Sequence, residues 1–80
     1  MKQTPKGELS HKQHEAFVFT LLGLSGDQVA EKMDVGVGTV RIHLLSVYKY
    51  FKVNTKAQLL SLYLDKNKIQ KEIDKMMEAD

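Results

Sequence analysis

Eighty residues set an upper limit of one domain, and a chain of this size buries only about 60 % of its unfolded surface, so its core must be small and locally connected. With no cysteine, one proline and no Cys/His spacing of a zinc site, neither disulfides nor a structural metal can reinforce that core, and no cofactor is expected. The net charge of +2 is weak overall but unevenly spread: residues 1–33 are neutral, residues 34–56 carry +3 from Arg41, Lys49, Lys52 and Lys56 against Asp34, and residues 57–80 carry −1.

The first eight residues are polar, include Pro5 and Gly7, and read as a flexible arm over 1–8. They lack the apolar centre of a signal peptide, and no apolar run approaches the roughly 18 residues of a spanning helix, so no membrane association and a cytoplasmic location are expected. Ser10 and Gln13 have capping-box spacing and open a helix over roughly 10–22, with Phe17, Val18, Leu21, Leu22 and Leu24 as its apolar content and Gly23 as a left-handed terminator. Ser25 and Gln28 repeat the box, with Leu24 and Val29 at staple spacing, and open a helix over roughly 25–33. Its inward stripe is Val29, Ala30 and Met33, where the small Ala30 permits a close helix crossing.

Gly36 occupies the cap of the next helix without a side-chain oxygen, and Val35 and Val40 stand at staple spacing. That helix, over roughly 37–51, spaces Val40, Leu44, Val47 and Phe51 at i, i+4, i+7 and i+11, a single inward stripe. The opposite face carries Gly38, Ile42, Leu45 and Lys49, flanked by Arg41 and Ser46. Two capped helices joined by the turn Met33–Gly38 make a helix-turn-helix signature, whose second helix can enter a DNA major groove. Thr55 and Gln58 form a third capping box, followed by Leu59, Leu60, Leu62 and Tyr63. From Asp65 the sequence is charged and helix-prone. Leu62, Ile69, Ile73 and Met76 continue a seven-residue spacing that Lys66 interrupts, which extends the fourth helix either as a dimerising seam or as a solvated tail.

Leu9-Ser10 with Gln13, Gly23-Leu24-Ser25, Val29-Ala30 and Thr39-Val40-Arg41-Ile42-His43, followed by Val47, Phe51, Val53 and Lys56, together resemble the LuxR-type (GerE-like) DNA-binding domain of bacterial transcription regulators. The resemblance runs from Leu9 to Leu60. It implies an all-α fold: a four-helix LuxR/GerE-type helix-turn-helix domain over 9–64, here with an extended C-terminal helix, a charged helical extension over 65–80. It also implies that Arg41, Ile42 and Leu45 face base edges. Leu45 stands where a lysine or arginine is frequent in the family and cannot donate to guanine, so base readout rests on Arg41 and on apolar contact with thymine methyls. Gly36 replaces the family's usual capping serine, Gly26 its asparagine, Gln13 its glutamate and Tyr50 its lysine.

The expected function is a bacterial transcriptional regulator that binds double-stranded DNA. The candidate contact residues are Thr39, Arg41, Ile42, His43, Leu45, Lys49 and Lys56. Arg41 pairs with guanine or phosphate through its planar fork, Lys49 and Lys56 meet phosphates, and Thr39 and His43 have either a phosphate-binding or a purely structural role. A weak homodimer through Leu59, Leu62, Ile69, Ile73 and Met76 is expected, because that apolar edge is hard for one small chain to cover. The alternative is a helix-turn-helix-shaped interaction module that binds another regulator or RNA polymerase through Ile42 and Leu45. His11, His14 and Glu15 lack a third fixed ligand and read as surface polarity rather than a metal site. Tyr48 and Tyr50 read as packing residues. No nucleophile with an adjacent base and no glycine-rich phosphate loop followed by lysine occurs, so the chain is expected not to be an enzyme.

Overall fold

The computed structural model describes residues 9–78, and these form five α-helices and no strand: α1 (His11–Leu21), α2 (Gly26–Met33), α3 (Val37–Phe51), α4 (Lys56–Ser61) and α5 (Lys66–Glu78). The arm read over 1–8 lies outside the described residues. None of the helices is long and apolar enough to cross a membrane.

Three of the five helices begin at the capping boxes that the sequence marks. Ser10 Oγ accepts the Gln13 N–H at 3.2 Å while Gln13 Oε1 accepts the Ser10 N–H at 3.0 Å. Ser25 with Gln28 and Thr55 with Gln58 close the same reciprocal pair, so each helix start has two otherwise orphaned donors satisfied.

The ends of α1, α2 and α3 share one device. A left-handed residue follows each helix, Gly23 (φ 92°) two positions past α1 and Asp34 (φ 56°) and Lys52 (φ 58°) directly after α2 and α3. The next residue then donates its N–H back five positions, Leu24 to the Phe19 carbonyl at 3.2 Å, Val35 to Ala30 at 3.0 Å and Val53 to Tyr48 at 3.0 Å. These are Schellman closures, in which the returning residue is apolar and packs on the helix it ends. Leu24 and Val35 also immediately precede the caps of α2 and α3, so one side chain fixes both the exit of a helix and the entry of the next. Joints of four and three residues built this way hold α1, α2 and α3 in fixed relative orientation.

The interior has two parts, with α1 and α3 common to both. Ala16, Val29, Ala30, Met33 and Val40 form the first, with Phe19, Leu24, Val35 and Leu44 against it; the small Ala16 and Ala30 bring α1 and α2 close. Phe17, Val18, Leu21, Val47 and Leu59 form the second, with Phe51, Tyr63, Ile73 and Met76 among its partly covered neighbours. Thr20 is buried, and its hydroxyl donates to the Ala16 carbonyl at 2.9 Å, so it enters the core without an unpaired polar group. The inward stripe of α3 is correctly read, although Leu44 and Phe51 are half-covered rather than buried, and Leu22, grouped with the apolar content of α1, is exposed.

One expectation about the C-terminal region is corrected. The fourth helix does not extend into the tail: it ends at Ser61, where Leu62 and Tyr63 donate to the carbonyls three residues back, and a separate helix starts at Lys66. Asp65 causes the restart. Its carboxylate accepts the Asn67 N–H at 2.8 Å and its carbonyl accepts the N–H groups of Lys68 and Ile69, so it caps α5. The chain reverses there and lays α5 on α1. In consequence the proposed dimer seam is largely consumed within one molecule: Leu59 is fully buried, and Ile73 and Met76 pack on the second part of the core. Ile69 is half-covered, and only Leu62 of the five remains exposed.

Candidate nucleic-acid interface

The helix that carries most of the candidate residues differs from its neighbours at its start. α1, α2 and α4 have side-chain caps, whereas Gly36 gives α3 none, and its carbonyl accepts from Thr39 and Val40 at 3.1 and 3.2 Å. The N–H groups of the first turn of α3 therefore have no side-chain acceptor, the arrangement in which a helix start favours an anion. Gly36 and Gly38 leave this end open, since a Cβ at either position would meet nothing within 4 Å.

Burial of Val40 and Val47 fixes the rotation of α3 about its axis, and this turns Ile42, Leu45 and Lys49, spaced i, i+3 and i+7, outward. Ile42 is 66 % and Leu45 53 % exposed, an apolar step on a wet face. Arg41 is exposed on one flank and borders a surface groove with Gly26, Val37, Leu45 and Tyr48. Thr39 is exposed on the first turn, and His43 is half-covered on the other flank. Lys56 is exposed at the start of α4, across the Lys52–Thr55 turn. The structure thus brings Arg41, Ile42, Leu45 and Lys49 to one face, leaves Thr39 and His43 at its margin, and sets Lys56 on the neighbouring element.

Among the described residues, none of Arg41, Lys49, Lys52 or Lys56 has a carboxylate at ion-pair distance; the ion pairs involve His11, Lys12, His14 and Lys75 instead. The basic excess in the middle of the sequence is therefore unneutralised in the fold. A cationic surface of this kind attracts phosphate even when the total charge is small.

Some participants escaped the sequence reading. Val37, 41 % exposed, adds to the apolar content of this side, and its place on the first turn of a half-apolar helix was the available signal. His14, read as surface polarity, is half-buried. Its Nε2 meets Glu72 Oε1 at 2.8 Å, and Tyr63 Oη donates to the other carboxylate oxygen at 3.4 Å, which joins α1 to α5. Burial and the adjacent Glu72 charge push the Tyr63 phenol from its ordinary 10.0 up to about 12. Tyr48 packs on the core, as read, while Tyr50 is largely exposed and sets its ring edge-on to Phe51 at 4.9 Å.

No family model matches the chain, and comparison with curated proteins and with solved structures gives no match either.

Proposed function

We propose that the chain is the DNA-binding module of a bacterial transcription regulator, which lays α3 in the major groove of duplex DNA and performs no chemistry of its own. The observation that carries the reading is the outward face of α3: an apolar step, Ile42 and Leu45, flanked by Arg41 and Lys49, which have no carboxylate at ion-pair distance among the described residues. Arg41 is the one residue on that face whose planar fork can pair with guanine O6 and N7, worth about 1–3 kcal/mol of discrimination against a wrong base. Ile42 and Leu45 suit thymine methyl groups. Lys49 and Lys56 meet phosphates, and the uncapped first turn of α3 with Thr39 adds neutral donors for another. The resemblance of Leu9–Leu60 to LuxR-type domains supports the same assignment of α3.

Selection from a random duplex pool, read at two salt concentrations, tests this reading. Enrichment of a sequence containing guanine next to thymine-rich positions is expected, with Arg41→Ala relaxing the preference at the guanine. No duplex binding at low salt contradicts it.

A second reading is favoured by the exposure of Ile42 and Leu45: an interaction module that uses this apolar step to bind another regulator or RNA polymerase. Under that reading Leu45→Lys abolishes partner binding and leaves duplex affinity negligible, whereas in the DNA reading an added cation there strengthens duplex binding.

A further inference from the structure

The outward face of α3 has few groups that can read a base by hydrogen bonding. Residues 37–51 contain no Asp, Glu, Asn or Gln, the residue types that accept from the cytosine N4 amine or pair with adenine N6 and N7. Ser46, beside this face, turns its hydroxyl back to the Ile42 carbonyl, 3.5 Å away. Thr39 and His43 stand at the margin, and Lys49 lies one turn beyond Leu45. Arg41 is left as the fork that pairs with guanine.

Apolar surface takes the central place. Ile42 and Leu45, three residues apart, are neighbours on the helix surface, and both are exposed. Leu45 also borders a groove with Val37, Val40 and Leu44, and Arg41 borders the same groove. The unit is therefore an apolar step with a guanidinium beside it. In the major groove thymine and 5-methylcytosine present the same C5-methyl group. They differ at position 4, where thymine carries an acceptor oxygen and cytosine a donor amine. A side chain distinguishes them only through a hydrogen-bonding group, and Ile42 and Leu45 have none.

We infer that Ile42 and Leu45 read the C5-methyl group of a pyrimidine and not the base that carries it, so that the site takes 5-methylcytosine beside guanine as it takes thymine. Methylation of a cytosine at these positions then raises affinity, and duplex DNA methylated at cytosine C5 is the ligand class. The inference rests on the DNA reading of α3 and adds a modification that this face senses. Charge complementarity selects DNA as the carrier of the methyl group: Arg41 and Lys49 flank the step and, among the described residues, have no carboxylate at ion-pair distance. Each methyl that leaves water against the step contributes the effect of one buried CH2, a factor of about four in affinity.

The test deletes the same methyl from two different base pairs. One selected duplex is prepared with thymine, uracil, 5-methylcytosine or cytosine at a preferred thymine position, the last two paired with guanine, and the affinity of the intact chain is measured for each. Uracil should bind about fourfold more weakly than thymine, and cytosine about fourfold more weakly than 5-methylcytosine, with thymine and 5-methylcytosine within about twofold of each other. Ile42→Ala/Leu45→Ala should abolish both differences and keep the salt slope, because no cation is lost; circular dichroism checks its helix content. If the intact chain binds the duplex and uracil equals thymine, the methyl is not read, and the inference fails while the α3 reading stands. If uracil loses affinity but 5-methylcytosine gains none over cytosine, position 4 is read, by Lys49 or another donor, and the inference is overturned. If no form of the duplex is bound, both readings fail together.

Discussion

Helices α1 to α3 bury Ala16, Phe17, Val18, Val29, Val40 and Val47 almost completely, whereas no residue of α5 is buried to that degree, and α5 meets the rest of the chain through half-covered Ile73, Met76 and Glu72. The first region closes through local devices, with capping boxes at the starts of α1 and α2 and Schellman turns at the ends of all three helices. Each fully covered aliphatic or aromatic side chain there contributes roughly 1.5–3 kcal/mol. The second region is a helix docked on one side and located by a polar cluster, His14, Glu72 and Tyr63. The contrast is between a platform made rigid by apolar closure, which presents α3, and an attached helix whose position depends on hydrogen bonds and charge.

The largest expected effect comes from removing the residue that joins the two regions. Phe17 is fully buried and its ring centre lies 5.0 Å from that of Phe51 and 5.2 Å from that of Tyr63. Phe17→Ala should destabilise by about 3–5 kcal/mol in urea denaturation, with both regions lost in one transition. A loss below about 1 kcal/mol would show that the second part of the core is not packed as described. Glu72→Gln should cost less, about 1–3 kcal/mol, as the loss of a half-buried charge-assisted hydrogen bond. Amide exchange should rise in α5 while α2 and α3 keep their protection, and a uniform rise across all helices would erase the distinction between the regions.

A pH effect sharpens the same contrast. The Tyr63 phenol ionises near 12 in the fold and near 10.0 when unfolded, so the native state holds its proton more tightly. Stability from this group is complete below pH 10 and falls as the pH rises from 10 to 12. Tyr63→Phe should flatten that part of the stability profile, and an identical alkaline decline in the variant would remove Tyr63 from the cluster. The smallest effect is expected at the end of α3. Lys52 sits at φ 58°, where a side chain strains the backbone, so Lys52→Gly should raise stability by about 0.5–1 kcal/mol in thermal denaturation. A loss of stability would mean that the lysine side chain has a compensating contact.

What the sequence disclosed follows from the range of the interactions. Capping boxes depend on residues three apart, so Ser10, Ser25 and Thr55 announced their helices, and the Val40–Val47 spacing fixed the rotation of α3 with no tertiary information. The left-handed Gly23 was legible because glycine is the ordinary residue there. Asp34 and Lys52 adopt the same conformation without that signature, because the apolar residues that follow them, Val35 and Val53, draw the chain back onto the helix. The break before α5 was carried by Asp65, a capping residue hidden among other charged residues. The partner of His14 lies 58 residues away, beyond the reach of any local pattern. The cover over the last helix was hidden for the same reason: periodicity identified the apolar face of α5 but not the surface of the same chain that packs on it.

The central claim, that the outward face of α3 meets duplex DNA, is tested most directly by titrating the isotopically labelled chain with the selected duplex and following its backbone amide resonances. The largest shifts are expected at Gly38 to Lys49 on the outward side of α3 and at Lys56, with little change in the buried half of α1. Shifts confined to α1 and α2, or none at duplex concentrations well above the protein concentration, would contradict it.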